Sequence, residues 1–415
     1  MTTFYDALET RSTQEREAAL MAALPQQVAH AQQNSAAFAS ILSGTDASHI
    51  TTRQALAQLP VTRKHELLER QQAERARNVF GGFSTLGYGQ GMPRVFCSPG
   101  PIYEPEGARR DYWRMARALY AAGFRSGELL HNCFSYHFVP AGSMMESGAH
   151  ALGCTVFPGG TGQTEQQVLA MAELQPAGYI GTPSFLKLIV EKAADMGVHL
   201  PSVTKALLSA EAFPPSLRDW FSARGIAGYQ CYGTADLGLI AYETEAREGL
   251  VLDEGVIVEI VRPGTGDPVP EGEVGELVVT TLNPDYPLIR FGTGDLSAVL
   301  PGHCPTGRTN TRIKGWMGRA DQTTKVRGMF VHPGQVATII RRFPQILRAR
   351  LVVSGEMAND QMVLQVETSE TAEGLAQQLG EVIREVTKLR GDVQMLPPGA
   401  LPNDGKVIED ARSYR

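Results

Sequence analysis

Three glycine-flanked segments carry side chains that together could hold a nucleotide. In YQCYGTADLGLIAYE (229–243) the ring of Tyr232 precedes Gly233, Thr234 and Asp236. Open α/β sheets bind ligands at the carboxyl ends of their strands. There, this order would lay Tyr232 flat on a base and let the backbone approach at Gly233. Thr234 would donate to a phosphate oxygen, and Asp236 would hold Mg2+, a hard cation that takes oxygen ligands. In PLIRFGTGDLS (287–297) Asp295 follows Gly-Thr-Gly and can accept from both hydroxyls of a ribose. GRADQTTKVRGMFVHPGQV (318–336) places a Lys-Val-Arg-Gly turn between two polar stretches, a suitable hinge. Each segment alone also reads as an ordinary turn or basic loop, since such an Asp commonly bonds its own backbone. A fourth segment, LPNDGKVIED (401–410), sets Lys406 on a polar loop near the chain end. Ends usually fray, so Lys406 is either a solvated charge or a cation carried on the edge of a mobile unit.

The elements that must position these loops alternate. Residues 1–80 read as helical, with Gln/Ala-rich stretches. DYWRMARALYAAG (111–123) puts Tyr112, Ala116, Leu119 and Tyr120 on one helical face and ends at glycine. TEQQVLAMAEL (164–174) and SFLKLIVEKAADMG (184–197) behave likewise, and between them lie the short apolar runs CTVFP, GYIGTP and KALLSAE. Helix alternating with buried strand predicts an α/β fold with mostly parallel sheet. Near residue 250 the pattern turns β-rich: GVIVEIV (255–261) and GELVVTTL (275–282) flank a turn-dense linker, predicting a hairpin or small barrel-like subdomain. Beyond residue 318, ARLVVSG (349–355) and MVLQVET (362–368) read as paired strands. TAEGLAQQLGEVIREVTKLRG (371–391) reads as one amphipathic helix with Leu375, Leu379, Val382, Val386 and Leu389 inward. The predicted organisation is a large N-terminal domain of parallel sheets flanked by helices, with a β-rich subdomain (1–318), plus a small mobile α+β C-terminal domain (319–415).

Composition narrows the function. The chain has 415 residues, enough for two or three domains, and 43% are apolar. The 44 acidic residues exceed the 38 Lys and Arg, which argues against nucleic acid or an anionic membrane as the main partner. The first residues lack an apolar run, which predicts no secretory signal. No stretch reaches the roughly 18 apolar residues of a membrane span. Five scattered cysteines without a CxxC pair predict reduced thiols in a cytoplasmic protein.

In order, YGTAD, RFGTGD, GRADQTTKVRG and PNDGK resemble the motifs of the adenylate-forming enzymes, the acyl-CoA synthetase superfamily. LPVTRKHEL (59–67) and EVGELVVTTLNPDYPLIRFGTGDLS resemble the phenylacetate-CoA ligase subgroup, as do GTPSFLKLI and LLSAEAFPPSLR. The resemblance spans roughly residues 55–410. It implies that ATP and a carboxylic acid give an acyl-adenylate, that the thiol of coenzyme A then displaces AMP, and that the C-terminal domain rotates in between. On this resemblance Tyr232 stacks on adenine, with Gly233 beside it, and Ser209, Ala210 and Glu211 form the adenine-side loop. Asp295 and Arg319 hold the ribose, Thr234 meets the α-phosphate and Asp321 is the hinge. Lys406 is the catalytic lysine, and Gly328 lines the pantetheine channel. NCFSYHFVPAGSMMESGAHALG (132–153) aligns with the acid pocket. Tyr136, His137, Phe138 and Pro140 would form an aromatic wall, with Gly181 also at the acid site. An aromatic or arylacetic acid is the implied substrate. His137 either orients its carboxylate or is a core histidine.

The chain departs from this pattern at the phosphate-wrapping loop, whose place is held by FCSPGPIYEPEG (96–107). Only Ser98 and Gly100 keep the expected chemistry. Pro99 and Pro101 lack N–H donors, no lysine follows, and Glu104 and Glu106 would repel phosphate if turned inward. Arg109 and Arg110 downstream can compensate, or the first step is slow. Asp236 stands where the family has glutamate, one methylene longer, so Mg2+ would bind through water. His303 and Cys304 alone do not make a zinc site of the usual kind. Rival readings are adenylation with transfer to an amine or carrier protein, and a nucleotide-binding paralogue without turnover. A homodimer is expected only because such assemblies are common.

Overall fold

The computed structural model describes residues 3–211, 213–320, 324–326, 329–331, 333–355, 360–369 and 374–412. Its centre is a nine-stranded sheet. Five neighbouring strands are parallel, in the order Thr155–Phe157, Leu129–Asn132, Gly178–Gly181, Lys205–Leu208 and Ala227–Thr234. The sheet continues antiparallel through Gly238–Glu243 and Leu250–Leu252. Strand side chains alternate between faces, and this divides the core in two. Ile180 and Leu207 join a cluster with Met115, Leu119 and Met145 from the helices Met115–Ala121 and Ala141–Leu152. Tyr179, Ala206 and Leu208 face the other way, onto Val168, Leu186, Ile189 and Phe221. Both faces are therefore covered by helices, as the alternation predicts.

The helix expected over 111–123 begins only at Met115, because Asp111 and Arg114 adopt positive φ of 50° and 64°. The Asp111 carboxylate then accepts the Ala116 N–H at 3.2 Å. The β-rich part is a hairpin of Val256–Val261 and Gly275–Thr281, extended by Phe291–Ser297 and, in parallel, by Thr62–Arg63. The long helix Thr13–Asn34 starts at a Ser12/Glu15 capping box and lays Leu20, Leu24, Val28 and Ala31 on that core.

One buried side chain fixes how the segment before residue 64 approaches the sheet. Arg290 donates to Glu259 at 3.0 Å, to the Ala57 carbonyl at 2.8 Å and to the Gly266 carbonyl at 2.7 Å. The Arg290 carbonyl accepts the Thr62 N–H at 3.0 Å, and Arg63 pairs with the buried Glu276. These bonds deliver Lys64, first residue of the helix Lys64–Glu74, to a set place.

Beyond residue 320 a four-stranded sheet runs Asp392–Leu396, Gln361–Thr368, Ile346–Ser354, Ile408–Asp410. The amphipathic helix spans Leu375–Thr387, shorter than expected, because Lys388 turns left-handed. Of the expected face, Leu375, Leu379 and Leu389 are buried and Val382 and Val386 pack partly buried against the same core, which Ile383 also joins. Among the described residues, no helix is long and apolar enough to cross a membrane.

Candidate active site

Asp295 gathers three side chains from two other segments. It lies in Phe291–Ser297 and is 8% exposed. Its Oδ2 accepts the Tyr232 hydroxyl at 2.7 Å, and its Oδ1 accepts Trp316 Nε1 at 3.1 Å and Arg319 Nη1 at 3.1 Å. A carboxylate offers about four lone-pair positions, so one is left. Accepting both hydroxyls of a diol requires Trp316 or Arg319 to release, and both side chains are about half exposed. Burial, with the neighbouring Asp295 charge, raises the Tyr232 phenol far above its ordinary value. Tyr232 and Asp295, read from sequence as independent contacts, are therefore one unit. The part played by Trp316 was missed, and the Trp nineteen positions into the segment after PLIRFGTGDLS carried no signal beyond its aromatic ring.

The loop after Lys205–Leu208 is tied to neighbouring strand ends. Ser209 donates through Oγ to the Cys231 carbonyl at 2.8 Å, and Glu211 accepts the Ser184 N–H at 3.2 Å at the start of the helix Pro183–Asp195. Ala210 is exposed with φ of 68°. Two glycines serve the protein's own packing. A side chain at Gly181 would strike the Tyr179 hydroxyl, and one at Gly233 would meet the Gly238 carbonyl at 2.5 Å. Close approach at these positions is to the chain itself.

The phosphate-loop segment folds as a hairpin, Arg94–Ser98 against Ile102–Glu106, with Gly100 in its exposed turn. Ser98 donates to Glu104 twice, through Oγ and through its N–H at 3.2 Å. Glu104 is thus turned inward and fully buried, whereas Glu106 bonds Ser143 Oγ at 3.0 Å and pairs with Arg94. Thr234 Oγ accepts the Leu237 N–H at 3.1 Å, which leaves its hydroxyl hydrogen free to donate. Asp236 is 3% exposed; its Oδ2 meets Lys64 Nζ at 2.9 Å, and its Oδ1 has no partner. Burial opposes the Lys64 charge, but the Asp236 carboxylate outweighs it and raises the Lys64 pKa. Burial, reinforced by Asp236, pushes Glu104 up to about 8 against the pull of Ser98 and Lys64.

Arg109 and Arg110 do not compensate at this loop. Arg109 pairs with Asp285 at 2.9 Å, Arg110 donates to the Ala151 carbonyl, and both line a cavity of about 230 Å³ with Asp111, Tyr112 and Arg114. Lys64 pairs with Asp236 and its charge acts on Glu104 of the hairpin; sequence reasoning missed it although LPVTRKHEL contains it. Its signal was a lone lysine beside a helix start.

The Glu104 carboxyl keeps its proton between about 4.5 and about 8, where an unfolded chain has released it. The folded state binds more protons in that window, so stability falls as pH rises through it. Glu104→Gln is expected to flatten this slope. Melting temperatures of both proteins at pH 5.5 and 8.5 check it; parallel losses would assign the slope to other groups.

The aromatic wall does not assemble. Tyr136 turns inward, donating to Glu146 at 2.8 Å and accepting from Asn132 Nδ2 at 2.8 Å. His137 is exposed and Phe138 is 80% exposed. Phe138 has φ of 61°, which swings its side chain out while its carbonyl accepts the Cys97 N–H of the hairpin at 2.7 Å. The neighbouring histidine that is buried is His131, stacked on Phe157 and bonded to Gln167 at 2.6 Å.

Lys406 sits in a turn before Ile408–Asp410. Its N–H donates to Asp404 at 3.1 Å, and Arg350 binds Asp404, Glu409 at 3.0 Å and the Pro402 carbonyl at 3.1 Å. A side chain at Gly405 would touch Val274 at 3.2 Å, so this turn abuts the β-rich part of the large body. Among the described residues, Lys406 makes no hydrogen bond or ion pair with Asp236, Asp295 or Tyr232. Asp321 and Gly328 lie outside the described residues.

Known proteins resemble this chain throughout its length. The family of AMP-binding enzymes matches residues 110–283. Phenylacetate-coenzyme A ligase of Thermus thermophilus is 30% identical over 396 residues, covering 87% of each chain. The enzyme of that name from Aromatoleum evansii is 30% identical over 371 residues, covering 83% of this chain and 82% of its own. Among solved structures, 2-hydroxyisobutyryl-CoA ligase, in complex with 2-HIB-AMP and CoA in its thioesterification state, shares the fold. The TM-score is 0.73 at 23% identity, over 99% of this chain and 93% of that one.

Proposed function

The chain belongs to the phenylacetate-CoA ligase family of AMP-binding enzymes, which are AMP-forming acid–CoA ligases, and we propose that it joins an aromatic or arylacetic acid to coenzyme A. The observation that carries the nucleotide part is the Asp295 node, where Tyr232, Trp316 and Arg319 converge near the end of the strand Ala227–Thr234.

In the first step the acid's carboxylate attacks the α-phosphorus of ATP, and pyrophosphate leaves. In the second, the thiol of coenzyme A attacks the acyl carbon, and AMP leaves with the bonding electron pair. Asp295 and Arg319 hold the ribose hydroxyls, and the loop 209–211 borders the base. Thr234 donates its hydroxyl hydrogen to the α-phosphate. Lys406 lies between carboxylate and phosphate in the first step, where charge accumulates on both. The C-terminal unit, hinged at Asp321, then withdraws it, and Gly328 leaves room for pantetheine. Tyr136, with Asn132 and Glu146 behind it, is the acid-site residue best supported by its inward position. A cytoplasmic setting belongs to the same reading, supported by five cysteines that are all free.

Pyrophosphate exchange into ATP across a panel of aromatic acids tests the proposal. Acid-dependent exchange, with thioester formed only when coenzyme A is added, is expected. Exchange followed by acyl transfer to amines without any use of coenzyme A would favour a different acceptor. The closed Ser98–Glu104 hairpin favours one further reading, a nucleotide-binding paralogue without turnover. AMP binding with no exchange for any acid would establish that instead.

A further inference from the structure

The donor set around Asp236 does not fit a hard dication. Such an ion takes several oxygen ligands. Here the Asp236 carboxylate has one oxygen committed to Lys64 Nζ at 2.9 Å and one without a partner. Each oxygen of the nearby Glu104 already accepts one bond from Ser98. An ammonium already neutralises Asp236 at Oδ2, and a second cation beside it would be repelled.

We propose that Lys64 replaces a divalent cation at Asp236 and presents its remaining N–H groups to the phosphate of the nucleotide. The geometry suits this. The Asp236 side chain is 1% exposed and that of Lys64 is 36% exposed, so the lysine is the solvent-facing member of the pair. A lysine ammonium carries more donors than the single bond to Asp236 uses. Its backbone is held in place by the Thr62–Arg290 bond and the Arg63–Glu276 pair, in the two residues just before the helix start. Lys64 thereby supplies the lysine that FCSPGPIYEPEG lacks, from a segment distant in sequence. The inference rests on reading the Asp295 node as a nucleotide site.

The test titrates AMP calorimetrically and Mn2+ by electron paramagnetic resonance on the AMP-saturated full chain. In the unaltered protein, no Mn2+ site sensitive to Asp236→Asn is expected. Lys64→Met is expected to weaken AMP binding about 10- to 100-fold, the worth of a charge-assisted bond, and to create a Mn2+ site that Lys64→Met/Asp236→Asn loses. Lys64→Arg keeps the charge and should retain most of the affinity, which guards against misfolding as the cause. A Mn2+ site in the unaltered protein that Asp236→Asn abolishes would overturn the inference and leave the nucleotide site standing. So would Lys64→Met binding AMP within twofold of the unaltered protein. Failure of AMP to bind the unaltered protein would sink the nucleotide reading itself, and the phosphate role of Lys64 with it.

Discussion

Lys406→Ala is expected to slow adenylate formation by about 10²–10³-fold, the scale on which a single transition-state charge contact acts, while thioester formation from supplied acyl-adenylate changes by no more than a few fold. As the carboxylate nears the α-phosphorus, two negative groups approach and their charges accumulate in the transition state. A fixed ammonium between them stabilises that arrangement more than it stabilises the separated reactants, which is the condition for faster chemistry. The loop is built to hold such a group. Asp404 accepts the Lys406 N–H, and Arg350 clamps Asp404, Glu409 and the Pro402 carbonyl around the turn. The Ala variant keeps all of these backbone and Arg350 contacts, so its loss should be chemical. Single-turnover assays of the two half-reactions separate the steps. Equal loss in both would show that Lys406 holds the loop or the domain rather than the reacting groups.

The second large effect is expected at Asp295. Asp295→Ala should weaken AMP binding by about 10²-fold, because it removes a charged acceptor whose hydrogen bonds are each worth about 1.5–3 kcal/mol. It also removes the carboxylate acceptor shared by the Tyr232 hydroxyl, Trp316 Nε1 and Arg319 Nη1, of which the Tyr232 hydroxyl is the buried one. A stability loss of about 1–3 kcal/mol is expected from that side of the change. Tyr232→Phe removes only one of these donors and keeps the ring, so it should weaken AMP binding by less than tenfold. Calorimetric titration with AMP, alongside thermal melts, checks both. AMP affinity within threefold of the unaltered protein, in a folded Asp295→Ala variant, would remove Asp295 as the ribose ligand.

Much of this architecture was visible in local patterns. GYIGTP and KALLSAE are apolar runs short enough to be strands, and they became two neighbours in the parallel row. GVIVEIV and GELVVTTL paired as a hairpin because the turn-dense linker between them leaves no other short connection. The errors were also local in origin. The periodicity of DYWRMARALYAAG runs through Asp111 and Arg114, yet the left-handed backbone there delays the helix to Met115. The inward face read from TAEGLAQQLGEVIREVTKLRG meets the core, but Ile383, which lay outside that reading, is buried there too. The family resemblance implied a wall of Tyr136, His137, Phe138 and Pro140, but a positive φ sends Phe138 outward.

By itself, the sequence determined the kinds of element, their order and the glycine-flanked segments at their ends, because side-chain period and turn chemistry act over a few neighbouring residues. The tertiary structure alone decided which partner each acid has. Lys64 and Asp236 meet across 172 positions, Tyr232 and Asp295 across 63. Whether Glu104 carries a proton depends on the same long-range assembly. Charge interaction and desolvation depend on distance through space and on exclusion of water, and neither quantity is written in the spacing along a chain.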